Sequence, residues 1–73
     1  MNMKSFGLGP HRWHIEATPS TEMEAREFHQ WMKENFPTCF LKLRSVNMNN
    51  GKYFWEIRGS DKQEHSAIML SWV

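Results

Sequence analysis

No intramolecular disulfide can staple this chain, which holds a single cysteine, Cys39, in 73 residues. A domain of this size must be stabilised by its core alone, near the lower limit at which a core suffices. A lone thiol also fits a reducing compartment. Long hydrophobic runs are missing as well. The longest is Ala67-Ile68-Met69-Leu70, against the roughly 20 apolar residues that span a bilayer. The opening residues, Met1 to Pro10, lack the apolar stretch of a signal peptide. The expectation is a protein of the cytoplasm with no membrane contact.

Charge of one sign is also scarce. Lysine and arginine number 9 and the acids 8, for a net charge of +1. An acidic DNA mimic is excluded, and a histone-like polycation is disfavoured. With 40% hydrophobic and 23% charged residues the chain has the balance of a folded domain. Its length allows one domain, with no internal repeat or low-complexity stretch.

What the sequence does have is aromatic side chains: four tryptophans, five phenylalanines and one tyrosine. Each buries roughly 150–250 Å² when enclosed. One helix over one small sheet cannot enclose them all, so part of the aromatic surface is expected to face outward, and function is sought there.

Residues 1–10 mix Gly7, Gly9 and Pro10 with little periodicity and read as a flexible or loosely packed lead-in to a single domain over residues 11–73. From His11 to Ala17 the pattern alternates, with Trp13, Ile15 and Ala17 on one side and Arg12, His14 and Glu16 on the other, as in a half-buried strand. Two helix starts follow. Thr18 before Pro19 is one, and Thr21 with Glu24 in capping-box spacing is the other. At 100° per residue, Thr21, Glu24, Ala25, Phe28, Trp31, Met32 and Phe36 fall within about 140° of arc, with Met23 left outside. Pro37 stops the helix.

The second half alternates from Thr38 to Met48 and from Lys52 to Gly59 around Asn49-Asn50-Gly51. A two-residue Asn50-Gly51 loop would mix charged and apolar side chains on both faces. A three-residue loop with a G1 bulge pairs Leu43 with Ile57 and Arg44 with Glu56, which gathers Cys39, Leu41, Leu43, Tyr53, Trp55 and Ile57 on the core face. After a polar loop from Ser60 to Glu64, His65 to Val73 reads as a last strand, with Ile68, Leu70 and Trp72 inward and Met69 opposite. The predicted fold class is α+β, in the order β-α-β-β-β: one amphipathic helix on a mostly antiparallel four-stranded sheet, the first strand joining an edge in parallel.

Chemistry-bearing patterns are few. His11 and His14 have H-x-x-H spacing, but on a strand residues three apart point to opposite faces, and neither C-x-x-C nor H-E-x-x-H occurs. No metal and no cofactor is expected. Cys39 falls on the core face, where a free thiol is an inert small hydrophobe. His14 and Glu16 share the outer face of the first strand, yet no phosphate cradle or pocket-forming stretch accompanies them. An enzyme is not expected.

The outer face of the sheet collects Phe40, Lys42, Arg44, Val46, Met48, Phe54, Glu56, Arg58 and Met69 in this register. Aromatics, methionine and arginine are the residues that protein interfaces favour, and an exposed apolar patch marks a partner surface. The expected function is a small non-enzymatic protein-binding module, a regulator or inhibitor that occupies a surface of a larger protein partner. By size and type alone it compares with phage-type accessory proteins. Phe40, Phe54, Arg58 and Met69 are the candidate anchors, with Arg44 setting polarity at the rim. The alternative is single-stranded nucleic-acid binding, bases stacking on the same aromatics. The absence of a K-G-F-G-F-V-like run and the central Glu56 weigh against it. The last strand, ending in Ser71-Trp72-Val73 without a charged gatekeeper, offers an edge for a homodimer.

Overall fold

Two antiparallel hairpins joined through their inner strands make the sheet. In the computed structural model, which describes residues 1–9, 11–47 and 52–72, the elements are β1 (Asn2–Gly9), β2 (Arg12–Thr18), α1 (Glu22–Asn35), β3 (Phe40–Asn47), β4 (Lys52–Gly59) and α2 (Lys62–Ser71). The strand order is β1-β2-β4-β3 and every pairing is antiparallel. The architecture is α+β in a single small unit, as the periodicities predict, but its order is β-β-α-β-β-α.

The core lies on one face of this sheet. Trp13, Ile15 and Ala17 of β2 and Ile57 of β4 meet Phe28 and Met32 of α1 and Ile68 of α2 in one buried cluster. Ile15 stands directly opposite Ile57, and both are fully buried. Helix α1 takes the second of the two starts. Thr21 is the N-cap, and its hydroxyl accepts from the Glu24 amide at 3.1 Å. Glu24 reaches back to accept from the Ser20 amide at 2.8 Å. Its inner arc is the expected one, with Ala25, Phe28 and Met32 buried and Met23 exposed. The helix ends at Asn35, with Phe36 as C-cap just before Pro37.

Four expectations are corrected. Residues 2–9 are not a loose lead-in: they form β1, paired along β2 from Asn2 opposite Thr18 to Gly7 opposite Trp13. The pairing shifts between Gly7 and Gly9. Gly9 has φ of 147°, a conformation that L side chains rarely adopt. Consequently β2 is an interior strand, antiparallel to β4, and not a parallel edge.

The β3–β4 register differs by two residues from the expected one. Leu41, not Leu43, stands opposite Ile57, and Lys42, not Arg44, stands opposite Glu56. A two-residue slip preserves the alternation, so the side chains from Phe40 to Ser45 and from Tyr53 to Arg58 keep their faces, up to an irregularity in the pairing between Ser45 and Asn47. The Asn49-Asn50-Gly51 turn and Met48 lie outside the described residues.

The segment read as a last strand is helix α2. Asp61 caps it, its carboxylate accepting from the Gln63 amide at 2.8 Å. Ile68 and Leu70 part company on a helix: Ile68 is fully buried while Leu70 is 80% exposed. Trp72 packs edge-on against Phe28, with centroids 5.1 Å apart. Among the described residues, 62–71 are helical, so the terminal edge strand expected to support a homodimer is not found there. The sheet's edges are β1 and β3. No described helix is long and apolar enough to cross a membrane.

Candidate functional site on the open sheet face

Both helices pack on one face, so the other is built from alternate residues of all four strands. The pairings arrange them in rows. Phe6, His14, Arg58 and Phe40 stand in register across β1, β2, β4 and β3. Next to them run Lys4, Glu16, Glu56 and Lys42, and beyond these Phe54 stands opposite Arg44. The N-terminal residues extend this face as an edge strand and do not fold back over it.

Glu16 and Glu56 are direct cross-strand partners, an arrangement that like charges disfavour. The neighbours resolve it. Arg44 Nε donates to Glu56 Oε2 at 2.6 Å, reaching diagonally from the position opposite Phe54. Arg58 Nη2 forms an ion pair with Glu56 Oε1. Glu56 is only 5% exposed. The Arg44 hydrogen bond holds its carboxyl below the ordinary carboxylate value, against the opposing effect of burial, and Arg58 adds to the lowering. His14 Nε2 lies 3.8 Å from Glu16 and 4.0 Å from Glu56, with its ring tilted against Phe6 at 5.5 Å. The Arg58 guanidinium sits over the Phe40 ring, 5.2 Å from its centroid.

The predicted anchors thus divide. Phe40, Arg44, Phe54 and Arg58 all lie on this face: Arg44 and Arg58 meet at Glu56, Arg58 sits over Phe40, and Phe54 stands opposite Arg44. Met69 does not. As part of α2 it packs against the core on the opposite side of the sheet. The face also has members the sequence reading missed, Phe6 and Lys4, because β1 was not recognised. The signal that could have found them is the parity shared by Lys4 and Phe6 against Met3 and Ser5.

Charge is unevenly divided between the two sides. The open face carries Lys4, Arg12, Lys42, Arg44 and Arg58 against Glu16 and Glu56, whereas the helical layer and its caps carry Arg26, Lys33 and Lys62 against Glu22, Glu24, Glu27, Glu34, Asp61 and Glu64. At one end of the Phe6–Phe40 row a cleft of about 390 Å³ is lined by Arg12, Trp13, Thr38, Phe40, Arg58, Gly59 and Ser60.

The other candidate groups are accounted for by local contacts. The Cys39 thiol donates to Glu64 Oε2 at 3.0 Å, and burial, followed by Glu64, pushes it up to about 12. His65 Nε2 bonds the Ser5 hydroxyl at 2.7 Å, and His29 stacks on Trp55 at 5.0 Å. Among the described residues no three histidine, cysteine or acidic side chains converge as metal ligands.

The chain matches no family model, no curated protein and no solved structure.

Proposed function

We propose that this chain is a non-enzymatic protein-binding module whose open sheet face docks on an acidic surface patch of a larger protein, in the manner of a regulator or inhibitor that occupies its partner's surface. The observation that carries this is the fixing of Arg44 and Arg58 by the buried Glu56, with Arg58 laid over Phe40. Arginine and aromatic anchors held before binding lose less side-chain entropy on docking. Phe6 and Phe40, each 43% exposed, stand at the two ends of the row and supply apolar contact area.

The same arrangement disfavours the nucleic-acid alternative. Glu56 already neutralises part of the charge that Arg44 and Arg58 would bring to phosphates, and the ring of Phe40 is occupied by Arg58. The test is capture from nuclease-treated lysate by the tagged protein and by its Arg58→Ala and Phe40→Ala variants, each shown by circular dichroism and thermal denaturation to be folded at the temperature of the experiment. A protein held by the parent and lost by both variants supports docking through this face. Capture that disappears with nuclease and falls steeply with salt points to nucleic acid and overturns it.

A further inference from the structure

We infer that the β3 edge and the groove beneath it form a second site, which takes an extended peptide of alternating acidic and apolar residues as a fifth strand. This site lies at the β3 edge with its clefts on the helix side of the sheet; it shares Lys42 and Arg44 with the open face but does not require that face's proposed partner.

β3 pairs with β4 alone, so half of its backbone donors and acceptors point outward. Inside this edge, two clefts follow the flank of α1. One, of about 290 Å³, is lined by Leu41 together with Met32, Phe36 and Cys39. The other, of about 180 Å³, is lined by Leu43, Tyr53 and Trp55, with the Glu22–Arg26 ion pair of α1 at its rim. His29 borders both. Leu43 is 47% exposed, unusual for a leucine on the core side of a sheet.

Leu41 and Leu43 are two residues apart on one strand, so the clefts repeat at about 6.6–6.8 Å, the spacing of same-face side chains in an added strand. Peptide recognition by strand addition uses this division, with backbone bonds giving affinity and alternate pockets giving specificity. The peptide's apolar residues would enter the two clefts. Its intervening residues would lie on the other face, opposite Lys42 and Arg44, where acidic side chains form favourable cross-strand pairs.

The charge pattern also selects the occupant. Antiparallel pairing of β3 with a second copy of itself would bring the Lys42 and Arg44 side chains of both copies together, which like-charge repulsion opposes. An acidic-apolar segment has no such conflict.

The test uses the full chain and a fluorescently labelled nine-residue peptide of alternating glutamate and leucine, with two controls: a lysine-leucine and a glutamate-serine peptide. Binding is read by fluorescence anisotropy and located by amide hydrogen exchange. The expected result is saturable binding of the glutamate-leucine peptide with new protection in β3, and at least tenfold weaker binding of both controls. Lys42→Glu should cost tenfold or more, and Leu43→Asp, at an already exposed position, should do the same. Arg58→Ala should leave this binding unchanged, which separates the site from the open face. Equal binding of the lysine-leucine peptide, or protection located elsewhere than β3, overturns the proposal. So does β3 protection that rises with protein concentration in the absence of peptide, since the occupant would then be a second copy.

Discussion

Trp13 lies so close to Gly59 that no side chain fits between them. The two are direct cross-strand partners, and a Cβ added to Gly59 would fall within the indole ring, with Cη2 only 2.8 Å away. The ring is fixed from the other side too, because its Nε1 donates to the carbonyl of Asp61 at 2.9 Å. Gly59 therefore permits a buried tryptophan that ties the end of β4 to the start of α2. Gly59→Ala is expected to cost about 1–3 kcal/mol, the range for overpacking a closed site. In a domain this small each kcal/mol shifts the melting temperature by roughly 4–8 °C, so thermal denaturation reads the effect. A Trp13→Leu change in the same background should recover part of the loss; full additivity of the two changes would show that their side chains do not meet.

Ile68 and Leu70 provide a direct check on α2. In a strand they would share a face and be equally sensitive. In the helix Ile68→Ala should cost about 2–5 kcal/mol, whereas Leu70→Lys should stay within about 0.5 kcal/mol of the parent. Chemical denaturation of the two variants decides between the geometries.

Acid should weaken the fold through Glu56 and Glu24. Arg44 lowers the first and the Ser20 amide lowers the second, each below the ordinary 4.5. A carboxyl held low in the folded state stabilises it fully above the ordinary value, and that stabilisation is lost as pH falls through the folded one. Stability should therefore decline progressively below about pH 4.5. Glu56→Gln should be less stable than the parent at neutral pH and show a shallower decline in acid. A variant whose acid slope matched the parent's would remove Glu56 from this role.

The Cys39 thiol should react slowly. Pushed up to about 12, it holds roughly one part in 10⁴ thiolate at pH 8, so a thiol-specific disulfide reagent should modify the native protein orders of magnitude more slowly than the unfolded chain. Glu64→Gln, which removes the charge that helps raise it, should speed the reaction. An unchanged rate would leave burial and the Asp61 charge as the causes.

How far the sequence discloses this arrangement depends on the element. α1 is legible because several independent signals agree: the Thr21 cap, a wide apolar arc and Pro37 after its end. The faces of β3 and β4 are legible because alternation survives a slip of two residues, while the register is not, since the turn carries Gly51 and two asparagines that allow several loop lengths. Placement of Phe40, Arg44, Phe54 and Arg58 on the open face follows from the alternation alone. β1 is hidden by Gly7 and Gly9, which look like loop chemistry but stand where its pairing with β2 shifts. α2 was hidden by Ile68, Leu70 and Trp72, whose period of two imitates a strand although only Ile68 is enclosed. Asp61, followed by Lys62, Gln63 and Glu64, is a helix start with strong helix formers behind it, and weighing it above the alternation would have moved Met69 off the open face.

The strand order also sets the course of folding. Each hairpin joins neighbouring segments and can close on the microsecond scale, but neither hairpin has an enclosed side by itself. The pairing of Ile15 with Ile57 spans all of α1 and β3, so its loop-closure entropy must be met before the core repays it. The slow event in refolding is then the meeting of two preformed halves under α1. Truncating Ile15 or Ile57 should retard refolding, while truncating Met3 at the outer edge should mainly hasten unfolding.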